Sequence, residues 1–214
     1  MESLGNDRRV FILGCNGCAQ SSGSGGPVQV AEMAGVLAGA GKSVSGTMVV
    51  DFLCQKALVS SRLRARQAEL GQTDSILVLT CGIGVQSVAA VAPLVCHSGC
   101  DTIYMGGSRG EWPADERCVE CGQCLLDLTG GICPLVVCSK SLVNGACGGA
   151  SAGHCELDKE KDCGWELIYR RLAAQGRTDI LRRSVKPMDF NRRMTYGAAV
   201  KSGQWSIENR EQRP

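Results

Sequence analysis

Fourteen cysteines in 214 residues are the side chains of this protein best suited to chemistry. Eight of them fall in one stretch, at Cys118, Cys121, Cys124, Cys133, Cys138, Cys147, Cys155 and Cys163. Its opening, CVECGQC, sets three thiols at a pitch of three residues, the run by which bacterial ferredoxins hold three corners of a [4Fe-4S] cluster. Cys133-Pro134 echoes the CP that closes such motifs, across a longer gap. Zinc ribbons instead use pairs of CxxC, so the triplet favours iron–sulfur chemistry, whereas Cys138, Cys147, Cys155 and Cys163 suit a cluster or zinc equally. Eight thiols make two sites of four, and the spacing leaves their division open, interleaved or sequential. The triplet is expected to take its fourth ligand from a distant cysteine. Gly130-Gly131 and the run Asn144 to Gly149 can bring backbone N–H groups close to sulfur. The stretch has too few apolar residues to fold alone, so metal binding is expected to supply much of its folding free energy.

Disulfides are the competing use of cysteine, and they require an oxidising compartment. Residues 1 to 9 are polar and the apolar stretch after them is short, unlike a secretory signal. No apolar run reaches the length of about 20 residues that a membrane span needs. The chain therefore reads as soluble and cytoplasmic, where cysteine usage points to metal. Acid–base catalysis is hardly represented, since the only histidines are His97 and His154 and neither lies in a triad or beside paired carboxylates. His154 reads as a polar loop residue.

The elements that position these thiols are short apolar strands alternating with helical patterns. Val10–Leu13, Val44–Val50 and Ile76–Leu79 read as strands, with Asp101–Met105 expected as a fourth. Helices are expected from Pro27 with a stop at Gly41, over Val59–Leu70, and from Gly82. With aromatics at 4 % and 28 glycines, the core must be aliphatic. The alternation predicts an α/β fold, a small flavodoxin-like parallel sheet with helices on both faces. Such sheets bind ligands beyond the carboxyl ends of their strands, where Cys15 and Cys18 follow the first strand, Cys54 the second and Cys81 the third. These four thiols are expected to form a further metal site, a [4Fe-4S] cluster or zinc. Cys96 and Cys100, around His97 at the expected end of a helix, read as thiols without a metal role.

Two apparent nucleotide motifs fail. Gly41-Lys42-Ser43 resembles the end of a phosphate-binding loop, but the required first glycine falls on Val36 and the segment leaves a helix; Gly23 to Gly26 does not fit GxGxxG. Residues 1–110 are read as the α/β domain, 111–183 as a cysteine-rich cluster module ending in a helix over Trp165–Gln175, and 184–214 as an extended basic tail. From Arg170 onward, eleven Lys or Arg face four Asp or Glu. The tail reads as an unstructured terminus or an arm that orders on a partner subunit, and nucleic acid is not expected because no reading motif accompanies the charge.

CVECGQC, TGGICP, CSKSLVNGACGG, CELD and DCGWELIYRRL resemble the C-terminal domain family of methylenetetrahydrofolate reductases, in particular the small iron–sulfur subunit (MetV) that accompanies a flavin subunit (MetF) in acetogen-type enzymes. LTCGIGVQSVA resembles a segment of the same family, and the likeness covers roughly residues 10 to 183. The two cysteines of VCHSGC depart from it. The resemblance implies an electron-transfer subunit without catalytic residues of its own. It would carry two or three [4Fe-4S] clusters, with zinc as the alternative in the second module, and FMN or FAD only in the flavin subunit. It implies ligands Cys15, Cys18, Cys54 and Cys81 in the N-terminal half and the eight later cysteines in the second, and leaves room for further electron-input subunits. The competing class is a zinc-stabilised scaffold subunit without redox work.

Overall fold

The computed structural model describes residues 2–105, 115–193 and 198. Four parallel strands, β1 (Arg9–Cys15), β2 (Ser43–Val50), β3 (Ser75–Leu79) and β4 (Val95–Ser98), form one sheet in the order β2-β1-β3-β4. The fold is the expected α/β class. β1 is one of the two inner strands, and its residues from Val10 to Cys15 are all buried, as expected of a strand covered on both faces. Between the strands run α1 (Cys18–Ser21), α2 (Pro27–Gly39), α3 (Lys56–Arg64), α4 (Gln67–Leu70) and α5 (Gly82–Val91).

Strand alternation sorts the core into two faces. Phe11, Leu13, Cys15, Ile76 and Val78 pack with Val59 and Leu63 of α3 and Val85 and Val88 of α5. Val10, Ile12, Leu77 and Leu79 pack on the other side with Val30 and Leu37 of α2. Pro27 opens α2 at its first turn, where a missing N–H costs nothing.

Three expectations need correction. The fourth strand is Val95–Ser98, not Asp101–Met105. β4 carries only a short apolar signal because His97 is inside it, 3 % exposed, with Nε2 3.1 Å from an Asp7 carboxylate oxygen and Nδ1 3.4 Å from one of Asp127. Carboxylates on both sides of the ring take the place of an apolar neighbour. The apolar residues of Asp101–Met105 are used elsewhere: Met105 is buried, and its N–H donates to Glu120 Oε1 in the cysteine-rich segment. Cys96 accordingly sits within β4, not at a helix end, and Cys100 follows the strand. The helix expected over Val59–Leu70 is two helices, α3 and α4, broken at Ala65 and Arg66. Arg66 turns back to pair with Glu69 and lies over the Phe11 ring, 5.6 Å from its centroid.

The cysteine-rich segment packs against α5 and β4. It contributes the short helix α6 (Pro134–Val137) and α7 (Gly164–Ala174). Leu126, Cys124 and Cys133 join the sheet's own core, while Trp165, Ile168 and Leu172 of α7 centre a separate cluster with Ile132, Val137 and Leu142. Asp127 Oδ1 accepts the Ser98 N–H at the end of β4 (2.7 Å). The Arg171 guanidinium donates to Ala89 O on α5 and to Gly130 O. Residues 185–189 lie along this segment, with Val185 N–H donating to Asn144 Oδ1 and Asp189 N–H to Gln123 Oε1. Residues 106–114 of the expected linker, and the tail residues Met194, Tyr196 and 199–214, lie outside the described residues.

Candidate metal centre

Cys118, Cys121, Cys124 and Cys133 line one cavity of about 20 Å³, closed by Gly82, Gln86, Thr102 and three leucines. Local geometry explains how a run of neighbours faces one space. Glu120 has a left-handed backbone, φ 52°, which turns its N–H toward Cys118 Sγ at 3.4 Å. Such a conformation costs a non-glycine residue of order 1 kcal/mol and persists where the surroundings hold it. Cys124 N–H donates to Asp101 Oδ1 (2.7 Å). Cys133 caps α6, and its N–H donates to Gln86 Oε1 (3.4 Å). Gln86 is almost fully buried, and its amide nitrogen also donates to Gly82 O and Arg117 O. One side chain thus ties α5 to both ends of this thiol set.

Burial pushes three thiols of the set up, Cys124 to about 12 and Cys133 to about 11, with Cys118 raised for the same reason. Backbone N–H groups around Cys118, Cys124 and Cys133 pull the other way, and would favour thiolate once a cation replaces the proton.

Cys138, Cys147, Cys155 and Cys163 line a second cavity of about 20 Å³, beside Lys140, Glu156 and Trp165. Cys163 is the N-cap of α7. Two isolated bridges, Ser151 with His154 and His154 with Asp162, shape the loop, and Cys155 N–H and Cys163 N–H donate to Lys161 O and Gly153 O within it. This set is more open: Cys147 is exposed and Cys155 has its thiol lowered, first by the Ser139 hydroxyl and then by the Leu157 N–H. Lys140 pairs with Glu156, whose Oε1 lies 3.6 Å from Cys147 Sγ. His154 does not line the cavity.

The eight thiols therefore follow one another as two sequential sets, with Cys133 joining the triplet. Spacing could not reveal this, because the partition depends on α6 turning the chain between Cys133 and Cys138.

At the carboxyl edge of the sheet a third cavity, of about 350 Å³, is lined by Cys18, Cys81 and Cys100 together with Ser24, Thr80 and Asp101. Cys81 is the N-cap of α5. Burial pushes its thiol up to about 12, against the pull of the Gly84 N–H, and Cys118 and Cys15 are its charge neighbours. A Cβ on Gly82 would stand 3.0 Å from Cys118 Sγ, so the edge thiols and the first four-thiol set adjoin. Cys15 and Cys54 do not line the cavity; the Cys15 thiol points to Asp51 O, 3.8 Å away, and Cys54 O accepts from Ser87 Oγ on α5. Cys100, without a role in the sequence reading, is the thiol that joins Cys18 and Cys81, and its thiol is held up to about 11 by burial. Cys96 is buried in the sheet and its thiol stands at about 12.

None of the fourteen cysteines is in a disulfide. Among the described residues no three Cys, His, Asp or Glu side chains are grouped so as to hold one metal ion. The donor chemistry of the two four-thiol cavities fits a thiophilic group, since soft thiolates select zinc or iron–sulfur clusters. Among the described residues no helix is long and apolar enough to cross a membrane.

Residues 97–191 match the family model described as methylene-tetrahydrofolate reductase C terminal. The match runs from the middle of β4 through both four-thiol sets to the last described turn. No curated protein and no solved structure matches the chain.

Proposed function

We propose that this protein is an iron–sulfur electron-transfer subunit that works with a flavin-bearing methylenetetrahydrofolate reductase subunit of the MetF type, as a MetV-type partner. The observation that carries the reading is that the segment matched by the reductase family model contains two separate four-thiol cavities. The CxxCxxC triplet with Cys133 is the stronger candidate for a [4Fe-4S] cluster. Cys118, Cys121, Cys124 and Cys133 would hold one group and Cys138, Cys147, Cys155 and Cys163 another. When bound, clusters exchange single electrons, which a partner's flavin, FMN or FAD, collects in pairs for hydride chemistry on the folate. The protein's part is to exclude water around the first set, to aim N–H groups at sulfur, and to tie that set to α5 through Gln86. Among the described residues neither histidine offers acid–base chemistry at the thiol sets. His97 is taken up between two aspartates and His154 lies off the second cavity.

A second reading, a zinc-stabilised scaffold subunit, is favoured by one observation: each four-thiol cavity measures about 20 Å³, near the space of a single water-sized occupant.

The test of the electron-transfer role is direct. The anaerobically purified full chain, reduced with dithionite and freed of excess reductant, is mixed with the oxidised flavin subunit. Two electrons per flavin should pass, seen as bleaching of the flavin; a flavin that stays oxidised beside a reduced chain contradicts the role.

A further inference from the structure

We infer that the flavin subunit docks where α7 meets residues 181–186, seating a surface with an apolar centre and an acidic rim over a cavity that lies between the two four-thiol sets. The inference rests on the electron-transfer reading above and assigns the face through which that transfer runs.

The cavity measures about 290 Å³ and is walled by Leu128, Val143, Trp165, Tyr169, Ile180 and Leu181. Leu125 lines both it and the first four-thiol cavity. Trp165 lines both it and the second, and Ala146 on its wall precedes Cys147. The opening thus shares a wall with each thiol set. The cavity at the sheet edge shares Thr102 with the first set and no lining residue with the second, so it adjoins one set alone. Because a [4Fe-4S] cluster passes electrons singly and a flavin takes a pair, a face touching both sets can deliver what the flavin needs. Two electrons leave the chain, which is oxidised, and the flavin is reduced by both, with its protons drawn from water.

Apolar surface at the mouth stands in water: Tyr169 is 56 % exposed and Leu181 38 %. An aromatic ring and a leucine left exposed beside an apolar hollow suit the centre of a protein interface, whose rim is polar. The rim identifies the partner. Arg182, Arg183 and Lys186, all exposed, alternate in the chain with the lining residues Leu181 and Val185. Glu166 is the one acid among the lining residues, and it is paired with Arg170 (3.2 Å). The surplus charge is positive. A second copy of this chain would bring the same cations to a two-fold contact and be repelled, whereas an acidic surface is attracted.

Binding of the full chain, purified without oxygen, to the oxidised flavin subunit is measured by calorimetry at low and high salt, and flavin bleaching is followed on the same samples. Wild type should bind more weakly at high salt, since surface charges are screened beyond about 10 Å at 0.1 M ionic strength. Arg182→Glu combined with Arg183→Glu should weaken binding at least about tenfold and slow bleaching. Arg62→Glu combined with Arg64→Glu, the same charge change at exposed positions of α3, should bind as wild type. Equal weakening by both pairs, or none by the first, overturns the inference. Iron per chain and tryptophan emission check the fold; should the first pair fail that check, Arg183→Gln decides, weaker binding supporting the face and wild-type binding overturning it. A wild-type chain that forms a dimer broken by Leu181→Asp puts a second copy on the face and overturns the inference too. A wild-type chain that fails to bind the subunit or to bleach its flavin overturns the electron-transfer reading along with this one, whereas wild-type binding and bleaching that the first pair leaves unchanged overturn this one alone.

Discussion

Gln86 shows how single residues organise the centre. Its amide satisfies Gly82 O and Arg117 O and accepts from Cys133 N–H while nearly excluded from water. Replacing it with leucine removes three hydrogen bonds from a buried space. Gln86→Leu is expected to lower stability by about 1–3 kcal/mol, read as a fall in denaturant midpoint; an unchanged midpoint would contradict the buried network. Asp74 acts at the opposite end of the sheet, where the backbone N–H groups of Arg9 and Arg8 hold its carboxyl below the ordinary range. A carboxyl depressed in the folded state contributes stability above its unfolded pKa and loses it as pH falls through the folded value. The stability gap between wild type and Asp74→Asn should therefore be full at pH 7 and shrink below about pH 4. A gap that stays constant into acid would contradict it. At this scale the sequence named the thiols but not their neighbourhoods. Cys100 follows a strand that no apolar pattern announced, so its meeting with Cys18 and Cys81 was hidden.

Among the elements, α7 was legible because Trp165, Ile168 and Leu172 recur on one face. β1, β2 and β3 were legible from their apolar runs. β4 was not, since its buried histidine pairs with Asp7, 90 residues away in the chain, and lies beside Asp127, 30 residues away. The break between α3 and α4 was equally hidden: Arg66, which stands at it, meets Phe11, a residue 55 positions earlier in the chain. Ile168 is fully buried and belongs to the cluster apart from the sheet. Ile168→Ala is expected to cost about 2–5 kcal/mol, measured by thermal or denaturant unfolding. A cost well below 1 kcal/mol would show that α7 does not pack as described.

For the whole molecule, the sheet has its own aliphatic core while the cysteine-rich segment has a small cluster under α7 and two thiol sets. Metal would tie that segment together, so removing it should loosen one part and spare the other. Trp165 reports on this, being buried with its indole N–H donating to Leu142 O (3.0 Å). In a chain carrying Trp112→Phe and Trp205→Phe, a strong chelator should shift Trp165 emission to the red with little change in sheet signal by circular dichroism. Simultaneous loss of both signals would contradict separate stabilisation. The α/β class and the presence of two thiol sets in one half were legible in the sequence; their sequential order and their contact with α5 were products of the fold.

The central claim, that the two four-thiol cavities are iron–sulfur centres, is tested most directly by one determination. Iron, acid-labile sulfide and zinc are measured per chain in full-length protein purified without oxygen. Iron and sulfide in about equal amounts are the expected result, and zinc without iron, or neither metal, would contradict it.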